Sequence, residues 1–233
     1  AHNTAGHVPY RSWCPHCVKG KARGSPHFKQ KSELNKVPTI SMDYFYFIRP
    51  EEGVDRGAPS MAMVDDKTGM LKAFVCKQKG VEESTIRMAT EWMDLLGHRK
   101  IILKNDNEPA MLALKSEIKN HTHIEIVPEQ PPSYESKSSG KGENAVQRIE
   151  GQFRTIRDAV ETRINERLEL GNPLIPWLVT QAGDTLNRYH VGVDGRTAYQ
   201  RWKGERFKRV VPEVGEKVFC LRSGSLKDPK RDK

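Results

Sequence analysis

At 233 residues, 36% of them hydrophobic, the chain is long enough to fill one substantial core with small appendages. It has neither a continuous apolar span nor an apolar run behind a basic N-terminus, so membrane insertion and secretion are not expected and an intracellular protein is. The net charge of +9 sits at the ends, because residues 1–36 and 201–233 each carry +6 while residues 37–200 carry −3. That distribution suits flanks that hold phosphate backbone around a centre that gathers cations, and it equally suits a solvated surface with Lys-rich termini.

The first 36 residues are polar, basic and rich in His and Cys, with too little apolar periodicity to bury a core alone. Residues 37–48 are β-branched and aromatic, residues 60–66 and 71–77 are two further strand candidates, and Asp66-Lys67-Thr68-Gly69 between them is a hairpin-like turn in which Asp65 and Asp66 read as turn residues. A helical period follows over 81–96 through Ile86, Ala89, Met93 and Leu96, and Gly97 stops it. A short strand at 101–104, a helix at 107–119 with Met111, Leu114 and Ile118 inward, and a strand at 124–127 complete the order β-β-β-α-β-α-β. Residues 128–142, with three Pro and a Ser/Lys/Gly-rich stretch, predict a mobile loop. Beyond it Val146, Ile149, Phe153, Ile156, Val160, Ile164 and Leu168 recur every three or four residues and predict a long amphipathic helix. Another helix is expected over 173–190, and a strand of a small β module at 216–221. The chain begins at Ala1 and ends in a charged string, so a piece of a longer polypeptide is expected.

Three acids stand out in this frame. Asp43 lies inside the first strand, Asp106 just past the fourth, and Glu143 in the first turn of the long helix, on a polar stripe with Gln147, Glu150 and Arg154. A carboxylate in a central strand is expensive without a partner, and two in neighbouring strands are easier to explain if a cation neutralises them. Hard divalent ions prefer such oxygens, and phosphodiester transfer uses two of them held close together. Of the rival acids, Glu135 sits in the Pro/Ser loop and Glu150 lies two turns into the helix.

This combination resembles the catalytic core of retroviral and long-terminal-repeat retrotransposon integrases, in which a ribonuclease H-like fold carries an Asp, Asp, Glu triad in the same element order. Asp106 and Glu143 are separated by 36 residues, one more than the usual retroviral spacing. Asn187-Arg188-Tyr189-His190, then Asp194-Gly195-Arg196-Thr197-Ala198-Tyr199, Arg201-Trp202 and Gly204 look like the post-core segment of Copia-type integrases, so the resemblance covers roughly residues 1–205. It implies an α/β fold with a mixed five-stranded sheet and helices on both faces. It also implies catalysis by Asp43, Asp106 and Glu143 on two Mg²⁺ or Mn²⁺ ions, one bridging Asp43 and Asp106 and one between Asp43 and Glu143.

The Cys14-Pro15-His16-Cys17 segment with His2 and His7 before it places two imidazoles and two thiols within sixteen residues, a set that fits one tetrahedral Zn²⁺. Integrases of this family carry a His, His, Cys, Cys zinc domain with the same ligand order. Six residues between His7 and Cys14 are too few for its full helical insert, so a shrunken knuckle is expected, in which His16 or His27 could replace one N-terminal His. The alternative is a pair of reduced thiols beside exposed His. The expected organisation is therefore a truncated zinc-binding region at 1–36, an integrase catalytic core at 37–205 and a basic tail at 206–233. Lys137, Lys141, Gln147, Arg154 and Arg157 are the expected DNA-phosphate contacts, with ordinary solvation as their alternative. By resemblance the partners are element-end and target DNA and further copies of the chain, in the nucleus. A related nuclease or transposase, or a catalytically inert DNA-binding retroelement remnant, are the other readings.

Overall fold

β-Branched and aromatic residues favour extended backbone near position 40, and successive side chains of a strand point to opposite faces. Ile40 and Met42 accordingly enter one core and Phe45 enters another, with Asp43 on the side of Phe45. The computed structural model describes residues 13–14, 37–47, 57–129, 140–209, 211–216 and 218–219. The chain divides into two compact units, Ala1–Lys36 and Val37–Lys233, and every described helix and strand lies in the second.

In chain order these are β1 (Thr39–Phe45), β2 (Ser60–Asp65), β3 (Leu71–Val75), α1 (Glu83–Leu96), β4 (Lys100–Lys104), α2 (Pro109–His121), β5 (Glu125–Glu129), α3 (Gly140–Ile164), α4 (Leu174–Tyr189) and α5 (Ala198–Lys203). The five strands form one sheet in the order β3-β2-β1-β4-β5. β1 to β3 are an antiparallel meander, and β4 and β5 add in parallel, each after a helical crossover. This is the mixed five-stranded sheet that the sequence predicts.

Helices cover both faces because the strands are apolar on both. On one face Ile40, Met42, Met61, Met63, Ile101 and Leu103 meet Trp92 and Met93 of α1 and Met111, Leu114 and Ile118 of α2. On the other, Phe45, Ala62, Val64, Leu71 and Ala73 meet Ile149, Phe153 and Val160 of α3 and Leu178, Val179 and Ala182 of α4. Among the described residues no helix is long and apolar enough to cross a membrane.

Several boundaries differ from the sequence expectation for identifiable reasons. α1 starts at Glu83 because the Glu82 carboxylate accepts from the amides of Ser84 and Thr85, both at 3.0 Å, and so caps it. α2 starts at Pro109, whose missing N–H costs nothing in a first turn. β5 runs on through Pro128 to Glu129 because it is an edge strand, where a missing donor is tolerated. The expected loop is thereby shortened at both ends, since α3 already begins at Gly140; residues 130–139 lie outside the described ones. α3 stops at Ile164 rather than reaching Leu168, because Asn165 turns left-handed at φ 54°. The strand expected at 216–221 is absent at Glu216, Val218 and Phe219, the described residues there, and both apolar side chains are exposed.

Asp65 is a correction of a different kind. It does form the β2–β3 turn, accepting from the amides of Lys67 and Thr68 at 3.2 and 3.1 Å, but its side chain is fully buried and also faces His98 Nε2 at 3.2 Å. A local pattern reveals the turn. It does not reveal the histidine 33 residues away that closes over it.

Candidate active site

Sheet register brings two of the acids together. β1 and β4 run parallel with Ser41 opposite Lys104, so two further residues along each chain lead to Asp43, still in β1, and to Asp106, just past the end of β4. Asp43 is half-buried on the α3 side of β1, and Asp106 is exposed just beyond the end of β4. The third acid arrives with the first turn of α3. Gly142 is buried there, and a Cβ on it would lie 3.7 Å from the Asp43 Cβ, so helix backbone runs directly over the strand acid. Glu143 follows, exposed to solvent.

The three carboxylates line one open cavity of about 210 Å³ with Ser41, Met42, Lys104, Asn105 and Gly142. Burial, then the charge of Asp106, and to a smaller extent that of Glu143, push the Asp43 carboxyl up to about 6, against a backbone hydrogen bond from Tyr44 and the charge of Lys79. Both other acids are therefore felt at Asp43. Among the described residues no three His, Cys, Asp or Glu side chains stand close enough to hold an ion as they are. The donor set nevertheless fits a hard divalent cation: three carboxylates share the cavity, and the buried Asn105 Oδ1 on its wall has no hydrogen-bond partner.

Lys79, Asn105 and Gly142 have no signal in the sequence that marks them as parts of this site. Lys79 pairs with Glu108 at 2.7 Å and lies over the rings of Tyr44 and Tyr46 at 5.3 and 5.7 Å, so the segment after β3 is tied to the one after Asp106. The Gly80 amide donates to Tyr44 Oη at 3.0 Å, and burial pushes the Tyr44 phenol up to about 12. Asn105 donates to the carbonyl of Asp106 at 2.5 Å and steadies the turn that carries the acid.

No family model and no curated protein matches the chain. Solved structures do. A chain of the simian T-cell lymphotropic virus intasome, solved in complex with PP2A regulatory subunit B56 gamma, superposes with a TM-score of 0.57 at 17% identity, covering 95% of this chain and 73% of that one. The HTLV-2 integrase catalytic core domain in complex with magnesium (TM-score 0.46, 18% identity, 70% of this chain and 95% of that one) is also similar. So is the catalytic core domain of BIV integrase (0.45, 16%, 71% and 93%). The chain has the ribonuclease H-like fold of integrase catalytic cores. Identity this low establishes the fold and leaves the chemistry to be argued from the site.

Around this ribonuclease H-like core the other expected site residues are scattered. Lys141 is paired with Asp66 at 3.0 Å, and Gln147 is exposed on α3. Arg154, paired with Glu150 at 3.7 Å, stands about 16 Å beyond Glu143 along the helix. Arg157 donates to Glu161 at 2.8 Å and to the Leu168 carbonyl, so its guanidinium fastens the chain leaving α3. Arg154 and Arg157 line a second cavity of about 280 Å³ with Phe47, Phe153, Arg167, Glu169 and Leu170, none of which borders the acidic one. Lys137 and the zinc candidates His2, His7 and Cys17, with the alternatives His16 and His27, lie outside the described residues; Cys14 is buried.

The post-core motif is largely accounted for by structure. β3 is an edge strand, and Asn187 pairs with it as another strand would, accepting from the Leu71 amide and donating to the Leu71 carbonyl, both at 2.7 Å. Thr197 and Gln200 form a reciprocal capping box at the start of α5, and Gly195 and Gly204 take φ of 73° and 81°.

Proposed function

We propose that this chain is a metal-dependent polynucleotidyl transferase of the integrase type, derived from a Copia-type retrotransposon, which joins the 3′ ends of element DNA into target DNA. The observation that carries the reading is that three carboxylates from β1, the exit of β4 and the first turn of α3 share one cavity, with Asp106 and Glu143 both acting on the charge of Asp43. Mg²⁺ or Mn²⁺, when bound, would supply activation of a water or 3′-hydroxyl and stabilisation of the leaving oxygen. The chain's own part is positional. Asp43, held in the sheet and half-buried, sets the floor of the site, while the exposed Asp106 and Glu143 adjust around it. Asn105 and the Lys79–Glu108 pair keep the segments on either side of the cavity in place. The reaction then needs no covalent protein intermediate.

On the same reading His2, His7, Cys14 and Cys17 hold one Zn²⁺ in the region 1–36, and Lys137, Lys141, Gln147 and Arg154 meet DNA phosphates, with Arg157 supporting them from the end of the helix. Copies of the chain assemble on DNA in the nucleus. The basic ends at +6 each and the His/Cys content of the N-terminal region support this part. The deciding experiment is joining of element-end oligonucleotides in Mg²⁺ or Mn²⁺ by the wild type and by Asp43→Asn, Asp106→Asn and Glu143→Gln, with Glu150→Gln as the control. Loss of joining in the first three and its retention in the control is the expected result. Nicking without joining would favour the nuclease or transposase reading, and metal-independent DNA binding without turnover the inert remnant.

A further inference from the structure

The first turn of α3, which carries Glu143, is weakly helical by its own composition. Gly140 and Gly142 lose more backbone entropy in a helix than other residues would, and Lys141 places a cation at the positive end of the helix dipole. Glu143 suits that end, but its carboxylate belongs to the acidic cavity. The position of the turn therefore depends on contacts from outside the helix.

Two such contacts are present, and both lead to β1. Gly142 is buried against the side chain of Asp43. One residue earlier, the Lys141 ammonium donates to Asp66 Oδ2 at 3.0 Å, across 75 residues of sequence. Asp66 is in turn clasped to the first residue of β1: its amide donates to the Thr39 carbonyl at 2.9 Å, and its Oδ1 accepts from the Thr39 amide at 2.8 Å. The turn that carries Asp66 is held from its other side, where the Asp65 carboxylate meets His98 and Arg201 donates to the Thr68 carbonyl at 3.1 Å. The contacts close a ring: β1 from Thr39 to Asp43, Gly142 on Asp43, Lys141 beside it, and Asp66 back to Thr39. An exposed ion pair usually loses much of its worth to the ordering of two free side chains. Here the bonds to Thr39 have already ordered the carboxylate, which is only 25% exposed.

We propose that Asp66 is a positioning residue for Glu143: through Lys141 it fixes the first turn of α3 over Asp43, and so sets where the third carboxylate of the cavity stands. A group one step removed from a metal ligand acts on the metal by orienting that ligand. The role toward a divalent cation rests on the transferase reading; the tie between β1 and α3 does not. Asp66 takes one of the three donors of the Lys141 ammonium, so the tie and a phosphate contact by the same lysine are compatible.

Two measurements on the full chain test the tie and its consequence separately. Asp66→Asn keeps an oxygen for the Thr39 amide and removes the charge that Lys141 meets, so the fold should survive it. In hydrogen–deuterium exchange without metal, the segment 140–147 should exchange faster in Asp66→Asn and Lys141→Gln than in the wild type or Lys141→Arg, while 39–45 is unchanged. Equal exchange of 140–147 in all four proteins overturns the tie. Faster exchange that spreads through 39–45 as well is a general loosening and also overturns it. The second measurement is Mn²⁺ affinity by electron paramagnetic resonance. Asp66→Asn should weaken binding about two- to fivefold, the range open to an exposed ion pair, and should change nothing in a Lys141→Gln or a Glu143→Gln background. A weakening that persists in either background is a direct effect of the Asp66 charge and overturns the positioning role, as does unchanged Mn²⁺ affinity beside faster exchange. If the wild type binds no Mn²⁺ while the exchange result holds, the metal-dependent transferase reading fails and the tie of α3 to β1 stands.

Discussion

A site that buries an acid and gathers like charges around it should weaken the fold that holds it, and Asp43 allows the effect to be sized. Its carboxyl moves from 3.8 to about 6 on folding. The sign follows from which state holds the proton. Below pH 4 the group is neutral folded and unfolded, and contributes no difference; between 4 and 6 the unfolded chain releases the proton while the folded chain keeps it, so stability falls; above 6 the full penalty is present. At about 1.4 kcal/mol per pH unit the shift corresponds to roughly 3 kcal/mol, and solvent screening of the part-exposed group lowers this to about 1–3 kcal/mol. Asp43→Asn removes the titration while keeping the shape. In EDTA at pH 7.5 it should raise the melting temperature by roughly 2–10 °C, and the gain should fade to nothing as pH drops from 6 to 4. Scanning calorimetry or thermal circular dichroism of both proteins over that range is the assay. A gain that is absent, or that persists undiminished at pH 4, would refute the claim that burial and the neighbouring acids hold the Asp43 carboxyl up. Asp106→Asn should give a smaller gain, since it removes one of the causes and leaves the burial.

Three further outcomes are expected. Asn187→Ala leaves the Leu71 amide and carbonyl without their 2.7 Å partners on an edge strand, and should cost about 2–4 kcal/mol in urea denaturation. Phe153→Ala empties a fully buried position that stacks on Phe47 at 4.0 Å between centroids, and should cost about 3–5 kcal/mol; a loss under about 1 kcal/mol would mean that α3 is not held by this face. The purified chain should carry about one Zn²⁺ that is lost on acidification and in Cys14→Ser with Cys17→Ser, and metal analysis showing equal zinc in that double variant would remove the site.

What the sequence discloses about this fold is what local periodicity can encode. The strand-strand-strand opening is legible because β-branched and aromatic residues crowd into 39–45 and a short apolar run at 61–64 leads into a hairpin-like turn, and α3 because its apolar stripe survives from Ala145 to Val160. The ends of elements are less legible because single side chains decide them: Glu82 caps α1, Asn165 turns left-handed, and Pro128 is tolerated where β5 has no outer neighbour.

The candidate site divides along the same line. Asp43 is conspicuous because an acid in a β-branched run contradicts its surroundings, and Asp106 and Glu143 because they sit where an element ends or begins. Lys79 and Asp65 contradict nothing locally. Each is an ordinary polar residue in a turn or loop, and each acquires its character only from a partner far along the chain: Lys79 from Glu108 and Asp65 from His98. Asp65 is the sharpest case, because in Asp65-Asp66-Lys67-Thr68-Gly69 it reads as an ordinary turn residue. Only the fold closes His98 over its fully buried carboxylate. A charge that disagrees with its sequence neighbours can thus be found by reading, whereas a charge whose partner lies far along the chain has to wait for the fold; in this chain Asp43 is of the first kind, and Lys79 and Asp65 are of the second.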